Sequence, residues 1–382
     1  MKKKLLFFAI VLLSTSNVHA SRRNQPPPDF LKYAKVVADA EIYRNPARSH
    51  TTWNHHTAFL NKALMRLFEA TEIGIYRNFV REIAENLVDE EGLIETFNVE
   101  EFDLRNLLGG IFLYDLFLLT RDRRYLNAMI HIRRQLHRQP RLPNRLFWFS
   151  QAHENEVRLD GFFTAMPFYS LYAAIFNEPA VFGDITVQIR RIDERTLDER
   201  TGLNFQAWDN SRTRTWSRNE TGTTQALFAQ SIGFYLMALV DILDYFPVDH
   251  HYRDEIIRRI NRITRALERM QDSRTGMWFQ VVNMPRDSQN FLETSATAMI
   301  AYAIAKGVNN GYLRQRDRQI AERAFMGLVN NSLENGNLTR TTTEASLDNS
   351  DGTFSYYVNL PQTSNELTAI AAFILAAIEL AR

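Results

Sequence analysis

The chain has 382 residues, 45% of them hydrophobic and 23% charged, so composition supports a large buried core and argues against disorder. A net charge of +1, with Arg interleaved among Glu and Asp, offers no segregated basic face and argues against nucleic acid as the main partner. There is no cysteine, which excludes disulfides, lipoprotein attachment and thiol chemistry.

In chain order the first element reads as an export signal. Lys2, Lys3 and Lys4 precede an apolar run from Leu5 to Leu13 that is too short to span a bilayer. Val18, His19 and Ala20 offer a cleavage site after Ala20, so 1–20 reads as a signal peptide and 21–28 as a flexible leader. An uncleaved anchor helix is the other reading of the same residues. No later segment is long and apolar enough to cross a membrane. A periplasmic or secreted protein is expected, with one domain over 29–382.

Beyond residue 28 apolar residues recur three and four apart, the period of an amphipathic helix. The pattern predicts helices over 29–43, 53–71, 73–89, 107–121, 123–138, 160–176, 178–194, 224–246, 251–271, 293–310, 315–331 and 364–381. Pro247 closes one helix, Gly276 follows another, and Ser364 with Asn365 opens the last. Phe162–Ala174 and Phe234–Tyr245 are apolar on more than one face, which implies burial between two layers. Six helical hairpins closed into a ring provide such layers, an (α/α)6 barrel. An open solenoid of hairpins fits the periodicity as well. The long connections 139–159, 199–223, 276–292 and 338–363 carry Trp148, Trp216, Trp278, Phe291, Tyr356 and Tyr357. Aromatic and polar loops gathered on one face of a rigid ring would wall a sugar-binding cleft.

A family resemblance rests on six stretches in order. Residues 158–168 (RLDGFFTAMPF) resemble the W-L-D-G-L-Y-M-A-x-P-F signature of the unsaturated rhamnogalacturonyl and glucuronyl hydrolases, glycoside hydrolase families 88 and 105. Residues 202–209 (GLNFQAWD) are similar to that group's G-L-x-Y-H-G-W-D, and 228–245 (FAQSIGFYLMALVDILDY) to W-G-R-A-M-G-W-Y-x-M-A-L-V-D-x-L-D-Y. Residues 275–280 (TGMWFQ), 292–307 (LETSATAMIAYAIAKG) and 351–357 (DGTFSYY) resemble S-G-L-W-Y-Q, L-E-T-S-A-S-A-M-x-A-Y-A-x-A-K-G and D-G-S-F-E-Y-Y. The resemblance implies the (α/α)6 barrel and an acidic oligosaccharide left by a lyase. It also implies one acid/base carboxylate, at Asp160, that protonates C4 of a C4=C5 uronic-acid double bond while water adds at C5. Trp208, Trp278, Gln280 and His55 stand at further positions that the resemblance marks for substrate contact. No metal or cofactor is implied. No H-E-x-x-H, Gly-rich phosphate loop or G-x-S-x-G elbow occurs in the sequence.

Several positions depart from the group. Arg105 stands where the pattern has its second Asp, Gln206 and Phe149 replace two His, and Gln230 replaces an Arg. Gln206 cannot titrate near neutral pH, and Gln230 cannot clamp a carboxylate with two charged bonds. Arg105 either lowers the pKa of a nearby Asp160 or binds the substrate carboxylate from a new direction. Two further readings follow: a sugar-binding protein without turnover, and a hydrolase of a different sugar that recruits Glu154, Glu156 or Glu293 as a second carboxylate. From position alone, Asp160 also reads as a helix N-cap, and Glu293 with Ser295 as the caps of theirs.

Overall fold

The computed structural model describes residues 29–343 and 345–382. The expected signal at 1–20 and leader at 21–28 lie outside the described residues. Among the described residues twelve long helices follow in chain order, with one short helix among them: α1 (Phe30–Arg44), α2 (His55–Thr71), α3 (Gly74–Leu87), α4 (Gly110–Thr120), α5 (Arg123–Arg138), α6 (Leu159–Phe176), α7 (Ala180–Thr196), α8 (Ala229–Ile242), α9 (Arg253–Met270), α10 (Thr294–Asn309), α11 (Arg318–Asn331), the short α12 (Phe354–Val358) and α13 (Leu367–Ala381).

Side-chain patterning sorts the long helices into two rings. In α9 the buried residues are confined to one stripe, including Ile256, Ile260, Ile263 and Leu267, as on a helix with one face in water. In α13 every residue from Thr368 to Leu380 is buried, so its whole circumference is covered. α2 packs on α4, α4 on α6, α6 on α8, α8 on α10, α10 on α13, and α13 back on α2. α3, α5, α7, α9 and α11 each lie against the inner helix that precedes them, and α1 lies against α13. The contact of α13 with α2 closes the inner ring and excludes the open solenoid.

The axis of the inner ring is filled. The Phe163 ring of α6 lies 5.1 Å from that of Phe59 on α2 and 5.1 Å from that of Phe234 on α8. Burying each such side chain contributes roughly 1.5–3 kcal/mol. Beyond this plug lies a buried charge cluster, where Asp241 accepts from Lys62 (2.5 Å), Lys306 (2.6 Å) and the Tyr302 hydroxyl (2.7 Å). Burial alone would raise the Asp241 carboxyl. Lys306 and Lys62 outweigh it and hold the group below the ordinary carboxylate range. The cluster borders a cavity of about 620 Å³ where α8, α10 and α13 end.

The N-termini of all six inner helices meet at the opposite mouth, and side chains knit them together. The Trp53 indole before α2 donates to Asn106 O before α4 (2.8 Å), and Thr164 of α6 donates to Leu104 O (3.0 Å). His56 of α2 lies 3.3 Å from Glu366, the N-cap of α13. The long loops add short strand pairs that periodicity did not predict. β1 (Glu156–Arg158) pairs antiparallel with β4 (Ala207–Asp209), β2 (Leu197–Asp198) with β3 (Leu203–Asn204), β5 (Leu333–Glu334) with β6 (Asn337–Leu338), and β7 (Thr341–Thr342) with β8 (Gln362–Thr363). Most helix boundaries match the expected ones within a few residues. The exception is α8, expected from 224: Gln225 and Ala226 instead donate their backbone N–H groups to Gly352 O, and the helix starts at Ala229.

Candidate active site

Asp160 is the second residue of α6, in its first turn, and is partly exposed. The N-cap position belongs to Arg158, so Asp160 does not cap the helix. The Leu159 N–H instead bonds to Gln206 O (3.0 Å), which fixes the helix start to the residue before β4. Asp160 precedes Phe163 by three residues and shares its face of the helix. Phe163 reaches Phe59 on α2, which is not a ring neighbour of α6, so this face looks along the barrel axis. Six helix N-termini surround the mouth at that level, each worth about half a positive charge, and they favour an anion there.

Phe149 organises the side chains next to Asp160. It has no exposed surface and lies against Gly161, where an added Cβ would meet its Cδ2 at 2.6 Å. The Arg158 guanidinium stands 4.5 Å from its ring centre, and that of Arg105 stands 5.1 Å away. Arg105 also grips Asp103, with Nη2 to Oδ2 at 2.8 Å and Nε to Oδ1 at 3.1 Å. The second acidic position of the pattern is thus occupied by a cation with its own carboxylate. Arg158 donates from Nε to the buried Glu156 (2.8 Å) and from Nη2 to Asp348 (2.9 Å). Glu156 accepts from Arg214 as well (2.6 Å). His153 bridges Ser150 Oγ (2.7 Å) and Asp348 Oδ1 (2.7 Å). Burial works to raise the Asp348 carboxyl, but the Arg158 bond and charge, with His153, hold it below the ordinary range. His153 and Asp348 stand between two cavities. One, of about 400 Å³, is lined by Arg105, Asp103 and His153. The other, of about 740 Å³, is lined by Asp348, Tyr356 and Asn359.

Residues 33–382 match the profile of Glycosyl Hydrolase Family 88. The chain belongs to that family. A family 105 glycoside hydrolase from C. acetobutylicum is 32% identical, with a TM-score of 0.88 over 91% of this chain and 99% of that one. The unsaturated glucuronyl hydrolase from Bacillus sp. GL1, responsible for the degradation of glycosaminoglycan, shares the fold at 11% identity, with a TM-score of 0.70 over 92% of this chain and 96% of its own. A 24.9 kDa protein in the picA locus of Rhizobium radiobacter is 28% identical over 225 residues, 55% of this chain and 95% of its own length.

Within this family 88 chain, several expected substrate contacts are instead internal. Trp278 has no exposed surface, and its indole N–H bonds to Leu267 O (2.9 Å). Gln280 is equally buried and donates to Tyr357 O (3.2 Å). The Trp208 indole donates to Thr221 O (3.1 Å) beneath the Arg195 guanidinium. Phe279, between Trp278 and Gln280, bridges Leu292, and Trp208 lies on β4 opposite Val157 of β1. Gln206 is held by the Tyr357 hydroxyl, which donates to its Oε1 (2.6 Å). Gln230 donates to Thr342 (3.3 Å), which donates in turn to Glu293 (3.4 Å). Both Gln side chains are buried. His55 stays partly exposed at the start of α2, with its ring 3.9 Å from that of His56.

The recruited-acid candidates separate by environment. Glu154 is exposed. Glu156 is buried, and its two oxygens are taken up by the guanidiniums of Arg158 and Arg214. Glu293 is fully buried and caps α10, accepting from the Ala296 N–H (2.5 Å). Its carboxyl is pushed up mainly by burial. The sequence reading missed Asp348 and Glu366. Glu366 starts α13, the inner helix opposite α6 in the ring order. Arg158 offered a signal of its own, because it replaces the Trp that opens the group's signature.

Proposed function

We propose that this chain hydrates the C4=C5 double bond of an unsaturated uronyl residue and so releases the sugar attached to it, with Asp160 as the single acid/base group. Asp160 donates its proton to C4, and the cation that develops at C5 is captured by water. The carboxylate takes a proton back from that water, and the resulting hemiketal opens to a ketone and expels the neighbouring sugar as an alcohol. The observation that carries this reading is the position of Asp160 on the axis-facing side of α6. It stands there inside a mouth ringed by six helix N-termini, and Phe149, which carries the guanidiniums of Arg105 and Arg158, lies against the next residue, Gly161. Such a field suits a sugar with a carboxylate.

The test is loss of the ultraviolet absorbance of the conjugated double bond when the protein meets lyase-generated disaccharides from pectin, ulvan or glycosaminoglycan. Asp160→Asn is expected to lower the rate by about 10²–10⁴-fold. No loss of absorbance with any of these sugars at high enzyme concentration refutes the proposal. The internal commitment of Gln206 and Gln230 supports a second reading, binding without turnover, in which Asp160→Asn leaves affinity for the sugar intact.

The Lys2–Ala20 pattern supports export of this hydrolase to the periplasm or medium. Mass spectrometry of the exported protein is expected to find Ser21 at its start, and an intact Met1 terminus there contradicts cleavage.

A further inference from the structure

We propose that Arg158 and His153 form the seat for the substrate's carboxylate, and that Asp348 occupies this seat until a uronyl sugar displaces it. The class of ligand rests on the proposed function, but the seat itself rests on geometry.

The donor side is built and rigid. Arg158 is 6% exposed, stacks on Phe149, and is pinned by Glu156 through Nε at 2.8 Å and Nη2 at 2.7 Å. Glu156 is 1% exposed and anchored on its other oxygen by Arg214 at 2.6 Å. His153 is fixed through Nδ1 by Ser150, so its Nε2 has one direction in which to meet an acceptor. Both donors converge on a single oxygen, Asp348 Oδ1, at 2.9 and 2.7 Å.

The acceptor side is different. The Asp348 side chain is 50% exposed and comes from a loop rather than a helix or strand. That loop is held without it. Leu347 is fully buried with Ala207 and Trp216, the Tyr356 hydroxyl bonds to Ser346 O, and Gln206 reaches Ala345 O. A fixed pair of donors facing a half-exposed carboxylate suits exchange of one carboxylate for another. The exchange leaves the charge around Arg158 unchanged, so no uncompensated ion is created while a sugar enters.

The location fits the chemistry. Phe149, on which Arg158 stacks, touches Gly161, the residue after Asp160. An anion on Arg158 therefore lies one aromatic side chain away from the proposed acid. His153 lines the 400 Å³ cavity and Asp348 the 740 Å³ one, so the seat lies between the two. Arg158 would thereby supply the charged clamp that Gln230 cannot.

Calorimetric titration with D-galacturonate and D-glucuronate tests the seat without turnover, with neutral D-galactose as control. An internal competitor weakens apparent affinity by the fraction of time it occupies the site, so Asp348→Asn is expected to bind uronate about threefold or more tighter. Arg158→Gln is expected to bind it about tenfold or more weaker, with Arg158→Lys between that variant and the native protein. Circular dichroism of each variant identifies misfolding, and the Asp348→Asn result stands even where an Arg158 variant fails to fold. The proposal is overturned if Asp348→Asn binds uronate no better than the native protein, including no detectable binding by either. Equal changes for galactose overturn it as well. A tightened uronate affinity without turnover of any unsaturated disaccharide would remove the proposed reaction and leave the seat standing. Turnover with unchanged uronate affinities would do the reverse.

Discussion

Buried carboxylates in this molecule do different work according to what surrounds them, and Glu293 shows how to tell. Its cap bond to Ala296 favours the anion, but burial dominates and raises its pKa above the unfolded value. A raised carboxyl contributes stability below its unfolded pKa and loses that contribution as pH rises through the folded one. Glu293→Gln keeps an oxygen for the Ala296 N–H and removes the charge. Its Tm is therefore expected to exceed that of the native protein at pH 8 and to converge with it near pH 4, as read by thermal unfolding. A lower Tm at pH 8 would mean that the ionised cap matters more than its desolvation.

At the level of elements, the helices were legible because each presents its apolar residues with a single period. The site was less so. Asp160 was found through its surrounding signature, but its role as a cap was misread because α6 starts at Leu159, held by Gln206 O, a contact made across 47 residues of sequence. Trp278 and Gln280 are fully buried, and no local pattern reports that. Asp348 meets Arg158 across 190 residues, beyond any motif window. The β5–β6 hairpin is the opposite case. Asn335 and Gly336, with φ of 51° and 81°, form the Asn-Gly turn that marks a tight hairpin, a signal present in the sequence and passed over. The start of α6 also makes a mechanical prediction. Gly161→Ala places a methyl 2.6 Å from Phe149 Cδ2, so the ring must move, at about 1–3 kcal/mol of stability. Because that ring carries both guanidiniums, uronate affinity is expected to fall with it. Unchanged Tm and affinity would show that Phe149 is free to shift.

Over the whole molecule, the inner ring separates a mouth of helix N-termini from an end where the Lys62–Asp241–Lys306 cluster sits below an aromatic plug. Asp241→Asn takes the buried counter-charge from Lys62 and leaves Lys306 with Asp244 (2.5 Å), and is expected to cost about 3–5 kcal/mol, measured by the denaturant midpoint. The sign with pH follows from its lowered carboxyl. The contribution is present above the unfolded value of about 4 and lost as pH falls through the folded one, so the variant and native midpoints approach each other in strong acid. A neutral effect at pH 7 would show that water reaches the lysines.

The ring is sealed by α13, which lies between α10 and α2 and is covered on every side. Its partner α2 begins 312 residues before it in the chain, as the gap between His56 and Thr368 records. Until that last inner helix has been made, α2 and α10 each present an apolar flank with nothing against it, and no shorter piece of the chain can complete the closure. Ribosome-bound intermediates are therefore kept from reaching a locked state.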